Sequence, residues 1–90
     1  MTDTTRPLFP TGQIVATPGA LDLGIDLLPY LRRHVAGDWA EMTPHDRQAN
    51  ELAIRTGRRV FSSYQTPAGK LWIITEADRS ATTFLLPNEY

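Results

Sequence analysis

The sequence predicts a small α+β domain in which helices pack on one face of an antiparallel sheet of three to four strands. Three observations lead to this prediction. The chain has 90 residues, enough for one domain with one modest core. Threonine–proline pairs and well-placed glycines are typical of helix starts and ends, and they occur in the first two thirds. Apolar and β-branched runs separated by turn residues dominate the last third, so the predicted order is β-α-α-β-β-β.

The folded domain is expected to follow a flexible leader. Residues 1–11 contain prolines and threonines without any hydrophobic periodicity, which is typical of a terminus that is poorly ordered. The apolar part of this leader, residues 8–10, could dock on the body. Residues 12–90 are then the single α+β domain.

The first strand and a short helical turn are predicted at the start of this domain. The β-branched run at residues 12–16 predicts a strand, which we expect at the edge of the sheet. Thr17 and Pro18 are typical of an N-cap and a first helical residue. They predict a helical turn over residues 20–23 that ends at Gly24.

Two longer helices are predicted next. The first has Asp26 as its expected N-cap and Gly37 as its end, and its apolar stripe recurs at spacings of three and four. The second begins with Thr43 as N-cap and Pro44 at the first helical position, and it ends at Gly57.

The last third predicts an antiparallel meander of strands at residues 59–64, 71–75 and 81–86. The middle strand is apolar on both faces, as expected of a central strand, with Trp72 and Ile74 on one face and Ile73 on the other. The closing strand is so apolar that, as an edge, it would need a cover. The leader or a second copy of the chain could supply that cover, so a homodimer is one expectation.

Composition and charge exclude several functional classes. Nine basic and ten acidic residues give a net charge of −1, which argues against a general nucleic-acid binder. No apolar window approaches the length of a membrane span, and the N-terminus lacks the pattern of a signal peptide, so we expect a cytoplasmic protein without membrane contact. Cysteine is absent, which removes disulfides and thiolate chemistry.

The sequence shows no catalytic or metal-binding pattern. The glycines lack the spacing of a phosphate loop, and Ser62 and Ser63 lack the flanking glycines of a hydrolase nucleophile. His34 and His45 are eleven residues apart, which fits neither a helical nor a zinc-finger spacing. We therefore expect a protein that is not an enzyme and that uses no cofactor and no metal.

Two clusters are candidate partner-binding residues. Glu76, Asp78 and Arg79 fall together at one hairpin, where they form either a recognition tip or the ordinary chemistry of a turn. Asp38 and Trp39 follow a helix end. There the tryptophan either covers the core or serves as an aromatic anchor in an interface.

Arginine accounts for eight of the nine basic residues, and Arg55, Arg58 and Arg59 form a local basic group. Arginine is favoured in phosphate recognition, but it also complements the dipole at a helix C-terminus. With Tyr64 or Trp72 as a stacking surface, this group supports an alternative function as a nucleic-acid-binding accessory protein.

Four segments of the chain resemble a known family. They are GQIVATPGAL at residues 12–21, HVAGDW at 34–39, WIITEADRS at 72–80 and LLPNEY at 85–90. The sequence is similar in these segments, over about residues 9–90, to short bacterial proteins carried by plasmids, phages and integrative elements, some described as restriction–modification subunits. The chain is far too short for the cofactor fold of a methyltransferase, and the resemblance carries over no catalytic residue.

What the resemblance implies is a setting on mobile DNA, where small proteins often bind and block host defence machinery. The leading hypothesis is a non-enzymatic protein-binding module with a host protein complex as its partner; an inhibitor of the anti-restriction or anti-CRISPR type is one form of it. A weaker hypothesis is a hydrolase or transferase around His34, Glu76 and Asp78, which would require one pocket to join them.

Overall fold

The computed structural model describes residues 7–39 and 41–90. Its elements are β1 (Gln13–Ala16), α1 (Pro18–Asp22), α2 (Leu28–Ala36), α3 (Pro44–Thr56), β2 (Val60–Thr66), β3 (Gly69–Thr75), β4 (Ala81–Leu85) and a final 3₁₀ turn at Pro87–Glu89. The α+β class and the four strands are confirmed. Within this part of the chain, no helix has the length and apolar character needed to cross a membrane.

The helix boundaries follow the capping residues. Thr17 and Thr43 accept hydrogen bonds from the backbone N–H groups of Ala20 (3.2 Å) and Asp46 (3.1 Å), which would otherwise be unpaired at a helix start. Gly37 and Gly57 end α2 and α3 with φ angles of 78° and 73°, in the left-handed region that glycine adopts without strain. Thr43, Gly37 and Gly57 thus serve as predicted.

The start of α2 differs by one residue from the prediction. Leu27 is the N-cap, and Asp26 precedes it. The carboxylate of Asp26 still accepts a hydrogen bond from the N–H of Leu28 (3.0 Å), so it satisfies a donor of the first turn from one position further out.

The sheet has the strand order β1-β4-β3-β2 and is mixed. Strands β2, β3 and β4 form the predicted antiparallel meander, but β1 runs parallel to β4, so the prediction of a purely antiparallel sheet is wrong. The helices carry the chain back across the sheet between β1 and β2, which makes these two strands point the same way. Two hairpins later, β4 points that way as well.

This topology changes which strands form the edges. Strand β1 covers β4, so the closing strand is an inner strand and not the exposed edge that its apolar sequence suggested. The edge strands are β1 and β2. Strand β3 is central as predicted, with Leu71, Ile73 and Ile74 buried and Trp72 half-buried.

The core lies between the helices and one face of the sheet. Val60, Tyr64, Leu71, Ile73 and Phe84 point to that face. They pack against buried or half-buried residues of the three helices, among them Ala20, Tyr30, Leu31, Val35 and Ala53. The predicted packing of helices on one face of the sheet is therefore present.

The segment before β1 packs onto this core. Phe9 is buried, and the N–H of Leu8 donates to the carbonyl of Val35 (2.8 Å) at the end of α2. Residues 1–6 of the predicted leader lie outside the described residues. Docking was predicted as an option for residues 8–10, and Phe9 provides it.

Candidate protein-binding site

The predicted recognition residues at the β3–β4 connection, here called the hairpin tip (residues 76–80), are engaged within the fold. The carboxylate of Asp78 accepts a hydrogen bond from the N–H of Ser80 (3.0 Å), which is the local turn chemistry that aspartate favours. Hydrogen bonds from the side chain and the backbone of Ser80 lower the pKa of Asp78. Arg79 has a φ angle of 60°, which is unusual for a residue with a side chain.

Arg79 points back to the body of the protein. Its guanidinium donates to four backbone carbonyls, those of Arg58 (2.6 Å), Glu76 (3.0 Å), Ala53 (3.2 Å) and Ala77 (3.3 Å). Its central carbon also lies 5.5 Å from the ring centre of Phe9. Because carbonyls at the end of a helix lack helical partners, the positive charge of Arg79 is well placed beside α3. Arg79 therefore ties the tip to α3 and to the docked segment.

Glu76 and Arg59 form an ion pair on the other face of the sheet. Their charged groups are 3.2 Å apart, and Arg59 also donates to the hydroxyl of Tyr90 (2.8 Å). The pKa of Arg59 is raised, first by its hydrogen bond to Glu76. The ring of Tyr90 lies edge-on to Trp72, with the ring centres 5.9 Å apart. Glu76, a predicted partner-binding residue, thus contacts Arg59, a residue of the alternative nucleic-acid site.

Asp38 belongs to a second polar network. Its carboxylate accepts a hydrogen bond from Arg33 (2.9 Å), which also pairs with Glu41 (3.1 Å). The guanidinium carbon of Arg33 lies 4.5 Å from the ring centre of Tyr64, whose hydroxyl donates to the carbonyl of Asp38 (2.9 Å). Burial raises the pKa of Tyr64 to about 12. This network holds the loop after α2 in place.

Trp39 is a core residue with only 4% of its surface exposed. It packs in the cluster that contains Phe9, Val35 and Met42. Its indole N–H is buried and has no hydrogen-bond partner among the described residues. Of the two interpretations of this tryptophan, covering the core is therefore the one that its burial supports.

Trp39 also lines an open cleft of about 410 Å³. The residues around it, here called the Trp39 cleft, come from the docked segment, the end of α2 and one face of α3: Leu8, Ala36, Gly37, Trp39, Glu51, Ile54 and Arg55. The side chains of Leu8, Trp39 and Ile54 make the cleft apolar. The exposed Glu51 and Arg55 place one negative and one positive charge on its lining.

Sequence reasoning found Trp39 and Arg55 but missed Leu8, Glu51 and Ile54. A signal for the α3 residues was present, because positions 51, 54 and 55 have the spacing of one helical face. The place of Leu8 at the cleft could not be found in this way. It depends on the packing of its neighbour Phe9 against residues that are distant in sequence, such as Val35 and Met42. Leu8 remains 53% exposed, although its neighbour is buried.

Two of the predicted nucleic-acid residues, Arg55 and Arg59, line different parts of the surface. Arg55 lines the Trp39 cleft, the carbonyl of Arg58 accepts from Arg79, and Arg59 pairs with Glu76. Tyr64 has no exposed surface and cannot stack on a base. Trp72 is the half-buried member of that prediction, and Phe61 lies edge-on to it.

His34 is fully buried, whereas Asp78 is exposed at the hairpin tip. The Nδ1 atom of His34 contacts the hydroxyl of Ser62, and its Nε2 atom lies 2.9 Å from the hydroxyl of Thr75. Burial lowers the pKa of His34 to about 3, so the ring is neutral at physiological pH. A substrate at the hairpin tip would not reach this ring.

The hydrogen-bond directions around His34 follow from the last bond in the series that joins His34, Thr75, Thr82 and the carbonyl of Thr11. The hydroxyl of Thr82 donates to the carbonyl of Thr11 (2.8 Å), so the hydroxyl of Thr75 must donate to Thr82 (2.7 Å). Nε2 then carries the proton and donates to Thr75, while Ser62 donates to Nδ1. The rings of Phe9 and His34 are also perpendicular to each other, with a centre distance of 5.2 Å. His34 is therefore a buried link between the sheet and the segment that forms one wall of the cleft.

No family model, no curated protein and no solved structure matches this chain. The function must therefore be inferred from the geometry of the chain itself and from the resemblance noted in its sequence.

Proposed function

We propose that this protein is a non-enzymatic protein-binding module and that the Trp39 cleft receives an apolar side chain of its partner. The exposed apolar wall that Leu8 forms beside the buried Trp39 is the observation that carries this proposal. A partner side chain that fills the cleft would remove the exposed surface of Leu8 from water. Glu51 and Arg55 would orient the partner through charges of opposite sign.

The cleft is already formed before binding, which lowers the entropic cost of association. Leu8 is held by its bond to Val35 and by the buried Phe9, and Phe9 rests on His34 and Arg79. In this proposal Leu8 and the buried Trp39 form the apolar lining that receives the partner, and Asp38 holds the loop that carries Trp39. Arg79 ties the hairpin tip to α3 and to the docked segment, while Asp78 and Glu76 bind Ser80 and Arg59. The hairpin tip thus acts through positioning.

The resemblance to proteins of plasmids, phages and integrative elements supplies the biological part of the proposal. The partner is proposed to be a host defence complex in the cytoplasm, and binding is proposed to inhibit restriction or CRISPR-type interference. Such a role requires a stable complex and no chemical step. It is therefore compatible with a surface that offers shape and apolar area.

A phage plating assay tests this function. On cells with an active restriction or CRISPR system, the plating efficiency of phage is expected to rise when the cells express the wild-type protein. Leu8→Glu puts a charge into the cleft and is expected to abolish this effect. Leu28→Glu is the matched control, because Leu28 is 54% exposed on α2 and does not line the cleft.

Affinity capture from the same lysate, with both variants, separates binding from inhibition. Capture of one defence complex by the wild type and Leu28→Glu, but not by Leu8→Glu, would support the proposal. Equal capture by all three proteins would exclude the cleft as the binding site. Salt-dependent binding of a single-stranded oligonucleotide that is lost in Arg58→Ala would instead favour the nucleic-acid alternative.

A further inference from the structure

The two edge strands of the sheet differ in whether their outward-facing backbone groups are paired. In β2, side chains form hydrogen bonds with these groups. The amide of Asn50 pairs with both backbone groups of Phe61, accepting from its N–H (3.0 Å) and donating to its carbonyl (2.6 Å). The carboxylate of Glu41 accepts from the N–H of Gln65 (2.7 Å), at the other end of the strand. These are outward-facing groups that an added strand would need, so β2 is a blocked edge.

The backbone of β1 alternates between the sheet and its outer edge. The N–H groups of Gln13 and Thr17 donate to β4 and the residues beside it, at 3.0 and 2.9 Å. The backbone N–H and C=O groups of Ile14 and Ala16 therefore point away from the sheet. Ile14 and Val15 are 44% and 38% exposed, and β1 contains no charge and no proline. It has none of the residues that usually protect an edge strand from pairing.

We propose that β1 pairs antiparallel with β1 of a second copy, around a two-fold axis at Val15. In this register Ile14 of each chain lies opposite Ala16 of the other, and their outward groups form four hydrogen bonds between the chains. Val15 then faces Val15 across the axis as a non-hydrogen-bonded pair, in which side chains approach closely.

A second copy fits this edge because pairing with it is self-complementary and closes the assembly. The strand is neutral, so two copies meet without repulsion between like charges. Two four-stranded sheets would join into one of eight strands, whose outer edges are both β2. Because Asn50 and Glu41 block those edges, growth stops at the dimer, as expected of an isologous contact.

Charge substitution at the axis tests the register. The contact is small, so the wild-type chain is expected to shift from monomer to dimer between about 1 µM and about 1 mM in sedimentation equilibrium. Val15→Lys and Val15→Glu should each weaken the dimer at least tenfold, because like charges would face each other. An equimolar mixture of the two variants should form dimers again. Leu28→Lys, a change of the same kind on α2, should leave the dimer unchanged.

A thiol at the same position gives an independent measurement. The chain has no cysteine, so Val15→Cys would carry its only thiol. Two residues facing each other in a non-hydrogen-bonded pair are close enough for a disulfide, whereas Leu28→Cys should remain uncrosslinked. Oxidation is therefore expected to yield a covalent dimer of Val15→Cys alone. A wild-type chain that stays monomeric at about 1 mM, or a dimer that Val15→Lys does not weaken, would overturn the proposal.

Discussion

The hairpin tip and the Trp39 cleft contrast in how their side chains are satisfied. At the tip, Arg79 donates to four carbonyls and Asp78 binds the backbone of Ser80. At the cleft, Leu8 keeps more than half of its surface in water beside a buried tryptophan. The charged cluster is the more conspicuous feature of the sequence, but the guanidinium of Arg79 binds carbonyls of the fold itself. The apolar cleft retains surface that a partner could cover.

The contrast also shows that the two regions depend on each other. Phe9, the neighbour of Leu8, lies between the ring of His34 and the guanidinium of Arg79. A change at the hairpin tip can therefore alter binding through the docked segment without any contact with a partner. Measurements that separate stability from affinity are needed to distinguish these effects.

Acid is expected to have the largest effect, and to act on the cleft side of this comparison. The pKa of His34 is about 3 in the folded protein and near its ordinary value of 6.5 in the unfolded chain. Between these two pH values the unfolded state binds more protons than the folded state. The stability that the neutral His34 ring contributes is therefore complete above about pH 6.5 and falls as the pH decreases. The loss approaches about 1.4 kcal/mol per pH unit.

Urea unfolding between pH 7 and pH 4.5 measures this dependence. The pKa values of Asp78 and Glu89 are lowered by hydrogen bonds, so the stability that these carboxylates contribute is lost only below this pH range. His34→Phe should lack the slope, and if this variant does not fold, NMR titration of the His34 ring in the wild type gives the same information. As the pH decreases, the protection of the Leu8 N–H from hydrogen exchange should fall before the protection of β3 does. A stability that stays constant down to pH 4.5 would contradict the prediction.

Removal of the Arg79 side chain is expected to have the next largest effect. Arg79→Ala loses four hydrogen bonds from a partly exposed group, and should lower the free energy of unfolding by about 2 to 3 kcal/mol. Arg79→Gly should lose about 1 kcal/mol less, because glycine adopts a φ angle of 60° without strain.

Thermal melting and partner capture, both measured on Arg79→Ala, decide between the two roles of the hairpin tip. The expected result is lower stability, together with a loss of affinity in the folded fraction that is smaller than the tenfold loss expected for Leu8→Glu. Asp78→Ala should lower stability by less than Arg79→Ala. An unchanged melting temperature together with a loss of partner capture would indicate that the hairpin tip is itself a recognition site.

The smallest effect on stability is expected at the cleft itself. Leu8→Glu should change the free energy of unfolding by no more than about 0.5 kcal/mol, because the side chain is largely exposed. Partner affinity should nevertheless fall at least tenfold, as expected when a charge enters an apolar binding surface. Leu28→Glu should leave both quantities unchanged. A large loss of stability in Leu8→Glu would assign Leu8 to the core.

Local structure was predictable where a residue acts on its immediate neighbours. Thr43, Gly37 and Gly57 mark helix ends because a cap is a contact within one turn of the chain. The three strands of the meander followed from their apolar and β-branched runs and from the turn residues between them. Asp26 was one residue off because an aspartate can reach the first turn from either position.

The direction of β1 and the edges of the sheet were decided by the tertiary structure. The prediction placed β1 at an edge but gave it the wrong direction relative to its neighbour, because a crossover through three helices leaves no local trace in the sequence of β1. The resulting parallel pair covers β4 and leaves β1 open. The blocking of β2 likewise depends on Asn50, which lies eleven residues from Phe61 on another element.

The sequence by itself determined the α+β class, the order of the elements and most of the residues that begin and end the two longer helices, because these depend on local geometry and hydrophobic period. Only the tertiary structure decided what the conspicuous side chains do. Arg79 and Arg59 could each have faced a partner, but each binds groups that are distant in sequence. The carboxylate of Asp38 binds the nearby Arg33, while its backbone carbonyl accepts from the distant Tyr64. Leu8 was singled out only as part of a segment that could dock, and the docking of Phe9 places it at the cleft. Long-range contacts assign polar groups to the fold or to the surface, because a charged group is available for recognition only when the fold has not already paired it.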